Sequence, residues 1–285
     1  MKKILFICTG NTCRSPMAEL LFRAYLVQNG LADLCTVESR GLMATAGERA
    51  TEPAIEAMKL EGLDLSKHRA TPISPQDCVD NTFYVCMTKA HALSLSTVVP
   101  PEKILALDVA DPYGGNLQTY VHTAKQLKAF CPKIFCAVFG FNQIRLMQKK
   151  DVLAVAEIEI ASFSTPWTVQ GIEEGLENPT GFFLVAESDS KIVGYVGANV
   201  ILDEVYLNNV AVLPDFRGHG IGKALLLSLI SAVKARNAAF VSLEVRESNQ
   251  AAIKLYENLG FEKQGERKSF YTAPIEDALI LTKNL

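Results

Sequence analysis

The sequence predicts an α/β protein with two domains: first a doubly wound parallel sheet, then a mixed sheet with helices. A length of 285 residues favours two domains of ordinary size, and either half is long enough to bury a core. In the first half, apolar strand candidates alternate with helix candidates, which is typical of a parallel sheet covered on both faces. All seven cysteines lie before residue 137, and Phe139-Gly140-Phe141 follows. We therefore place the boundary near residue 140 and expect domains 1–140 and 141–285.

The elements of the first half are predicted from apolar runs and their end signals. A helix over 16–29 has Ser15 as its N-cap and Pro16 at its first position, and Gly30 follows its end. Strands are predicted at 3–8, 35–39, 82–87 and 104–109, and further helices at 52–61 and 118–129.

The second half combines a hairpin with strand–helix–strand segments. The hairpin turns at Asp189-Ser190, between strands 182–188 and 192–202. Other strands are predicted at 141–146, 206–212, 240–245, 261–271 and 278–283. Helices are predicted at 150–163, 220–236 and 250–259. Ser248 or Asn249 can cap the last of these, and Gly260 ends it.

Composition excludes several classes of protein. Hydrophobic residues make up 49% and charged residues 21%, as in a globular protein, and no apolar stretch approaches a membrane span. Residues 1–140 carry 14 Lys and Arg against 13 Asp and Glu, and the remainder 14 against 18, so neither half is a basic nucleic-acid surface. The cysteines are odd in number and irregularly spaced, which indicates a reducing cytoplasm. No Cys or His residues have the paired spacing that would indicate a metal site.

The most informative motif is Cys8-Thr9-Gly10-Asn11-Thr12-Cys13-Arg14-Ser15-Pro16, directly after an apolar strand. A phosphorylated substrate resists attack because its oxygens are anionic, and a nest of backbone N–H groups with a guanidinium removes that barrier. The loop supplies the N–H groups, Gly10 permits unusual backbone angles, and Arg14 can hold two oxygens. The positive end of the following helix favours a thiolate at Cys8. Ser15 can donate a hydrogen bond to that thiolate, cap the helix, or do both.

A proton donor for the leaving group is predicted at Asp111 in Asp111-Pro112-Tyr113-Gly114-Gly115. Asp-Pro by itself is only a turn signal. The Cys8 loop in the same domain favours the catalytic interpretation, with Tyr113 as a wall of the pocket.

Residues 1–138 resemble the low-molecular-weight protein tyrosine phosphatase family, and among its members the bacterial protein-arginine phosphatases. The resemblance implies Cys8 as nucleophile, Arg14 as phosphate clamp, Asn11 as loop scaffold and Asp111 as general acid. It also implies that Thr12 sets a preference for phosphoarginine and that Cys13 forms a reversible disulfide with Cys8. Ser39-Arg40-Gly41 departs from the family's usual Ser-Ala-Gly, and the added charge can alter substrate approach. An arsenate reductase, or an anion-binding loop without catalysis, stays open.

The second motif is Arg217-Gly218-His219-Gly220-Ile221-Gly222, which follows the strand 206–212 and opens a helix. Such a glycine-rich turn binds pyrophosphate through its exposed N–H groups. Spaced glycines also occur in dinucleotide sites, but the acidic ribose contact expected there is missing, because Glu244 lies too far along the chain. His219 is interpreted as a loop residue without a catalytic role.

Residues 141–285 resemble the GNAT acetyltransferases, and among these the ribosomal-protein alanine N-acetyltransferases, through segments 161–167, 243–249 and 252–261. The resemblance implies acetyl-CoA as cosubstrate, Glu244 as base and Tyr256 as acid. The backbone of Val210, Ala211 and Val212 is expected to hold the pantetheine arm, the residues of the 217–222 loop the pyrophosphate, and Asn249 the cofactor. Trp167 either shapes a peptide site or only packs.

We therefore expect a cytoplasmic bifunctional enzyme that needs no metal. One domain is predicted to act on phosphorylated proteins, preferring phosphoarginine, and the other on the N-terminal alanine of a ribosomal protein. Two alternatives remain: phosphotyrosine and a small-molecule amine as substrates, or one domain serving as a binding module that regulates the other. No contact with nucleic acid or membrane is expected.

Overall fold

The computed structural model describes residues 2–285. The chain divides into two compact units: a first unit that ends at Val138 and a second unit over Phe139–Leu285.

The first unit contains a four-stranded parallel sheet and four α-helices. The strands are β1 (Lys2–Cys8), β2 (Cys35–Gly41), β3 (Thr82–Cys86) and β4 (Ile104–Ala106), in the spatial order β2-β1-β3-β4. The helices are α1 (Arg14–Gln28), α2 (Glu52–Leu60), α3 (Lys89–Leu95) and α4 (Leu117–Phe139).

The central strand β1 is buried on both faces, which explains its uninterrupted apolar sequence. On one face Phe6 packs edge-on against Phe22 of α1, with ring centroids 5.8 Å apart. On the other face Leu5 and Ile7 share a buried cluster with Leu95 of α3. The prediction of a doubly wound parallel sheet is thereby confirmed.

Several predicted helix limits were wrong. Helix α1 begins at Arg14, so Pro16 is its third residue and not its first. Helix α4 continues through Pro132 to Phe139, although proline removes one helical hydrogen bond, because Ile134 and Phe135 beyond it are buried. Helix α3 was missed. Its signal was Thr88, whose side chain accepts the N–H of His91 as an N-cap.

Arg40, opposite Ile7 near the carboxyl end of β2, belongs to an ion-pair network. Its Nε lies 3.1 Å from Asp77 Oδ2 and its Nη2 2.5 Å from Glu38 Oε2. Lys3 Nζ lies 3.0 Å from both carboxylates. Because two cations meet two anions, the added charge of Arg40 is compensated within the Lys3–Glu38–Arg40–Asp77 network.

This network predicts a pH-dependent stability. Burial alone would raise the pKa of Asp77 and Glu38, but hydrogen bonds and charges from Lys3 and Arg40 outweigh it and hold both pKa values below the usual range. The stabilisation is complete above the unfolded-state pKa of about 4 and is lost as the pH falls through the lower folded values. Asp77→Asn should cost about 2 kcal/mol at pH 7 and flatten the acid dependence.

Amide hydrogen exchange of β1 and β2 in the intact chain, measured at pH 7 and in steps from pH 5 to pH 2, checks this prediction, because the loss is expected only below about pH 4. Asp80→Asn is the matched control, because the Asp80 side chain is fully exposed and its ion pair with Lys103 is worth little. Equal protection in the Asp77 and Asp80 variants at pH 7 would contradict the expected stabilisation.

The second unit contains a seven-stranded mixed sheet and four helices. The strands are β5 (Gln143–Leu146), β6 (Gly181–Ser188), β7 (Lys191–Ile201), β8 (Glu204–Val212), β9 (Phe240–Arg246), β10 (Glu262–Thr272) and β11 (Ile275–Asn284). Their order is β10-β11-β9-β8-β7-β6-β5, and only the β8–β9 pair is parallel. The helices are α5 (Val152–Ser162), α6 (Val169–Glu177), α7 (Ile221–Lys234) and α8 (Gln250–Asn258). The prediction of a mixed sheet with helices is confirmed.

Strands β8 and β9 separate half-way along their length. Their parallel pairing runs from Glu204 opposite Phe240 to Leu207 opposite Leu243 and then stops. Beyond it, β8 follows β7 and β9 follows β11. An extra residue at Asn208 shifts the β7–β8 register and forms a β-bulge. Such a bulge bends the strand and increases its twist. The result is a wedge-shaped opening between the two strands.

Several predicted limits of this unit differ from the structure, among them the start of β11 at Ile275 and not at residue 278. Strand β5 begins at Gln143 and not at residue 141, and α5 begins at Val152 after a short 3-10 turn. Helix α6 was missed because Gly171 and Gly175 lower helix propensity. A Cβ at Gly175 would lie 3.1 Å from the Phe183 ring, so the close packing of this helix favours glycine. Within residues 2–285, no helix has both the length and the apolar character needed to cross a membrane.

Candidate active sites

The first candidate site is the loop between β1 and α1, at the carboxyl end of the central strand. Cys8 Sγ lies 3.0 Å from Ser15 Oγ and accepts the backbone N–H of Asn11 at 3.2 Å. The sulfur thus has a backbone N–H and a hydroxyl beside it. Cys8 is 3% exposed.

Asn11 shapes the loop, as the resemblance implied. It is fully buried and has a φ of 56°, in the left-handed region. Its Nδ2 donates to Ser15 Oγ and Ser39 Oγ, both at 2.9 Å, and its Oδ1 accepts the N–H of Thr71 at 2.8 Å. The strained residue of the loop is therefore Asn11. Gly10, to which unusual backbone angles were assigned, is not at positive φ.

Ser15 is not the N-cap of α1. The capping position is Cys13, which makes no side-chain capping bond, and the helix already includes Ser15. The Ser15 hydroxyl points to Cys8, so only the thiol-facing role predicted for it is present. A capping role was expected because Ser15 precedes a proline, but the helix begins two residues earlier than predicted.

Gly41 was overlooked by the sequence reasoning although it ends the Ser39-Arg40-Gly41 segment. A Cβ there would lie 2.6 Å from the carbonyl oxygen of Thr9 and 2.7 Å from Ala44 Cβ. No side chain fits at those distances, so β2 can approach the loop only because residue 41 is glycine.

Arg14 and Asp111 meet across 97 residues of sequence. Arg14 is 5% exposed, and its Nη2 lies 2.6 Å from Asp111 Oδ2. Its Nη1 donates to the carbonyl of Val109 at 3.3 Å. Asp111 is half-exposed, and its Oδ1 accepts the N–H of Tyr113, whose ring is exposed. A buried guanidinium and an accessible carboxylate thus stand together at the loop.

The remaining loop residues have neighbours that the sequence did not predict. Thr9 Oγ1 lies 2.9 Å from His91 Nε2, and His91 Nδ1 lies 2.9 Å from Thr88 Oγ1. Burial and the nearby Arg14 lower the pKa of His91, which favours its neutral form. Thr12 is 7% exposed, and its Oγ1 lies 3.7 Å from Cys13 Sγ. The sequence feature that could have identified His91 is Thr88, three residues earlier, which caps helix α3.

Cys13 and the other cysteines differ in their surroundings. Cys13 Sγ lies 3.4 Å from Thr51 Oγ1 and 3.5 Å from the Tyr120 hydroxyl. By contrast, burial raises the pKa of Cys86 and of Cys131 to about 12, so these thiols stay protonated and serve packing. Among residues 2–285, no three His, Cys, Asp or Glu side chains form a group able to hold a metal.

The second candidate site is a cleft of about 890 Å³ where β8 and β9 separate. It is lined by residues 162–165, 167, 207–212, 216–218, 220–223, 244–246, 249, 251–252, 255–256 and 271. The cleft therefore brings together every predicted acetyl-CoA residue except His219. The His219 ring contacts the carbonyl of Phe216 at 3.3 Å and is not part of the lining.

The glycine loop has the geometry that an anion requires. Gly218 and Gly220 have φ values of 80° and 91°, where residues other than glycine are strained. The first hydrogen bond of α7 runs from the N–H of Ala224 to the carbonyl of Gly220, so the N–H groups of the preceding turn point out of the helix. Together with the cleft volume, this arrangement fits the diphosphate of acetyl-CoA.

Two of the cofactor residues make internal contacts. Arg217 Nε donates to the carbonyl of Val212 at 2.9 Å, and its Nη2 donates to Ser162 Oγ at 3.2 Å. The Val212 carbonyl thus already accepts one hydrogen bond from a side chain. Asn249 caps α8 by accepting the N–H of Ala252, which confirms the predicted cap, and it also lines the cleft.

Glu244 and Tyr256 both line the cleft, in different surroundings. Glu244 Oε1 lies 3.2 Å from Arg267 Nη2, with both side chains partly exposed. Tyr256 is 5% exposed and packs edge-on against Phe261, and burial together with nearby Tyr271 raises the pKa of its phenol. The phenol therefore keeps its proton at neutral pH, as an acid must.

One wall of the cleft was only partly predicted. Arg246 lies over the ring of Tyr271, 4.1 Å from its centroid, and donates to the carbonyls of Ala273 and Pro274. Ser164 Oγ also donates to the Ala273 carbonyl, at 2.9 Å. The segment after α5 and the turn between β10 and β11 are thereby joined at the mouth of the cleft. Trp167 both packs on Phe183 and lines the cleft.

Comparison with known proteins agrees with both sites. Residues 3–144 match the family model described as low molecular weight phosphotyrosine protein phosphatase, and residues 152–261 match the acetyltransferase (GNAT) family. The chain therefore belongs to both families, with a phosphatase domain followed by an acetyltransferase domain. GNAT enzymes use acetyl-CoA, so that is the cosubstrate class of the second site.

Three relatives illustrate the similarity. A Bacillus subtilis (strain 168) protein provisionally named a ribosomal protein bS18-alanine N-acetyltransferase is 40% identical over 139 residues, 48% of this chain and 92% of the relative. The ribosomal protein bS18-alanine N-acetyltransferase of Escherichia coli (strain K12) is 37% identical over 143 residues, 49% of this chain and 95% of the relative. The protein-arginine-phosphatase of Bacillus subtilis (strain 168) is 32% identical over 136 residues, 44% of this chain and 89% of the relative.

Proposed function

We propose that the chain carries two activities in separate domains, 1–140 and 141–285: a protein-arginine phosphatase and a protein N-terminal alanine acetyltransferase whose acceptor is a ribosomal protein. The cysteine chemistry requires a reducing compartment, so we place the protein in the cytoplasm. Phosphorylated proteins and a ribosomal protein N-terminus are its proposed partners.

The phosphatase mechanism begins with phosphate bound on the loop N–H groups and Arg14. The Cys8 thiolate attacks phosphorus and the P–N bond of phosphoarginine breaks, while Asp111 gives its proton to the departing guanidine nitrogen. Water then attacks the cysteinyl-phosphate, with Asp111 accepting a proton, and phosphate and thiolate are released. The Arg14–Asp111 contact at 2.6 Å carries this proposal, because bound phosphate can replace the carboxylate on Arg14 and free it for the leaving nitrogen.

The preference for phosphoarginine is supported by Thr12. Its side chain is small and polar and is buried in the loop beside Cys13. A bulky aliphatic side chain there would fill space next to the phosphate and suit an apolar aromatic ring better than a polar guanidinium. The carboxyl group of Asp111 could also accept a hydrogen bond from the guanidinium of phosphoarginine.

Thr12→Ile tests the substrate class. We expect the ratio of kcat/KM for phosphoarginine over phosphotyrosine peptides of matched sequence to fall roughly tenfold or more, a loss of about 1.4 kcal/mol in discrimination. Thr36→Ile, at an exposed position of β2, is the control substitution. If the wild-type chain hydrolyses the phosphotyrosine peptide as fast as the phosphoarginine peptide, the Cys8 chemistry stands and the arginine assignment fails.

The acetyltransferase mechanism uses the cleft. Acetyl-CoA supplies an acetyl thioester when bound. Glu244 would accept a proton from the acceptor ammonium, directly or through water, so that the amine can attack the thioester carbonyl carbon. As the C–N bond forms and the C–S bond breaks, Tyr256 would give its proton to the departing sulfur and regain one, through water, from the new amide nitrogen. The N–H groups of the glycine loop hold the diphosphate. The meeting of Glu244 and Tyr256 in one cleft, at the point where β8 leaves β9, carries this proposal.

The acceptor class is tested with acetyl-CoA and two peptides of the same sequence. One begins with alanine, and the other has a blocked N-terminus and a lysine side chain as its only amine. Transfer to the first peptide alone supports an N-terminal acceptor, whereas transfer to lysine or only to small amines contradicts it.

A further inference from the structure

Glu159 of α5 is a fully buried carboxyl group outside the residues discussed above. Three neutral donors from three parts of the unit surround it. The Tyr195 hydroxyl of β7 and Asn209 Nδ2 of β8 donate to its Oε1, the latter at 2.8 Å, and the backbone N–H of Trp167 donates to its Oε2 at 2.7 Å.

A carboxyl group in a core is costly unless its oxygens are hydrogen-bonded, and an apolar residue would pack at lower cost. The helix of Glu159 otherwise contributes apolar residues to the core: Val155 and Ile158 belong to a buried cluster together with Phe183 and the ring of Tyr195. Packing alone therefore does not explain a glutamate here. A glutamate at this position is explained if it serves to hold its three hydrogen-bond donors in place.

Two of the donors belong to the cleft. Trp167 and Asn209 both line it, and Asn209 directly follows the bulge at Asn208, where β8 turns away from β9. The Trp167 segment also reaches the β10–β11 turn, because Ser164 Oγ donates to the Ala273 carbonyl. One carboxylate thus holds two pieces of cleft wall that no backbone ladder connects.

We infer that Glu159 is a positioning residue for acetyl transfer, which holds Trp167 and Asn209 as the wall that receives the acceptor peptide. The inference rests on the proposed N-terminal acceptor. Glutamine cannot replace the glutamate, because its amide group donates where Glu159 accepts, so one of the three donors would face another donor.

The chain offers an internal probe for this inference, because Trp167 is its single tryptophan. In Glu159→Gln, acrylamide should quench the fluorescence of the intact chain more strongly than in wild type, since the Trp167 segment is released. The KM for an alanine-starting peptide should rise about tenfold, which corresponds to about 1.4 kcal/mol, while the KM for acetyl-CoA changes less than about twofold. Glu157→Gln on the exposed side of the same helix is the matched control.

The outcomes separate positioning from a merely structural role. A folded Glu159→Gln protein with wild-type quenching and wild-type peptide KM overturns the inference, and so does a lowered Tm with both KM values unchanged. If Glu159→Gln does not fold, Tyr195→Phe keeps the packed ring and removes one donor. The KM for the peptide should then rise about threefold while the KM for acetyl-CoA stays nearly unchanged. If the two KM values do not differ in this way, the inference is overturned. Failure of the proposed function looks different: wild type leaves the peptide unacetylated, while Trp167 still becomes more accessible in Glu159→Gln.

Discussion

Cys8→Ser should lower phosphatase kcat/KM by roughly 10³-fold or more, the largest effect expected from any single substitution in the chain. The reason is chemical: a serine hydroxyl keeps its proton at neutral pH, whereas the thiol can be held as a thiolate by the Asn11 N–H at 3.2 Å and the Ser15 hydroxyl at 3.0 Å. The loop, Arg14 and Asp111 stay in place, so phosphate should still bind. Steady-state hydrolysis of a phosphoarginine peptide and an aryl phosphate measures the loss.

Two controls accompany the Cys8 substitution. Cys78→Ser changes a cysteine outside the loop and should leave hydrolysis unchanged. Acetyl transfer by the same Cys8→Ser preparation reports on the second domain of the same molecule and should match wild type. Hydrolysis within a few-fold of wild type in Cys8→Ser would rule out a cysteinyl-phosphate mechanism.

Tyr256→Phe should lower kcat for acetyl transfer about 100-fold, the contribution typical of a general acid, with little change in KM for acetyl-CoA. The ring is 5% exposed and packs against Phe261 at 5.6 Å between centroids, so phenylalanine keeps the packing and removes only the hydroxyl. Burial raises the phenol pKa, so the protonated form persists to more alkaline pH than for an exposed tyrosine. Rates measured on an alanine-starting peptide across the alkaline range test both statements.

The control for Tyr256 is Tyr206→Phe. Tyr206 is 40% exposed on β8, and its hydroxyl donates to Glu204 at 2.6 Å, outside the cleft lining. That substitution should not change kcat. Undiminished transfer in Tyr256→Phe would transfer the role of acid to water or to Tyr271, the other phenol that lines the cleft.

The chemistry of the first site was largely predictable because its residues are contiguous. The segment from Cys8 to Ser15 contains the proposed nucleophile, the backbone donors and the guanidinium, and local geometry after a buried strand brings them together. Which residue takes the left-handed conformation was not predictable. Gly10 was the natural choice, yet Asn11 takes it because Ser39 and Thr71, far along the chain, hold its side chain.

The second site was predicted less completely. The glycine loop could be recognised from spacing, and Glu244 and Tyr256 from the resemblance. The ion pair of Glu244 with Arg267, the Arg246–Tyr271 wall and the hydrogen bond of Glu159 with Asn209 join residues 23 to 50 positions apart. Such contacts depend on strand register, and a shift of one residue would turn each side chain to the other face of the sheet.

By itself, the sequence determined two α/β halves, the cysteine–arginine loop and the glycine-rich loop, because each depends on neighbours within a few residues. Only the tertiary structure decided where these loops find their partners. It placed Asp111 on Arg14, neutralised Arg40 with Glu38 and Asp77, and opened the cleft at the Asn208 bulge. The physical reason is that hydrogen bonds and ion pairs act over a few ångströms, and folding, not sequence distance, determines which groups come that close.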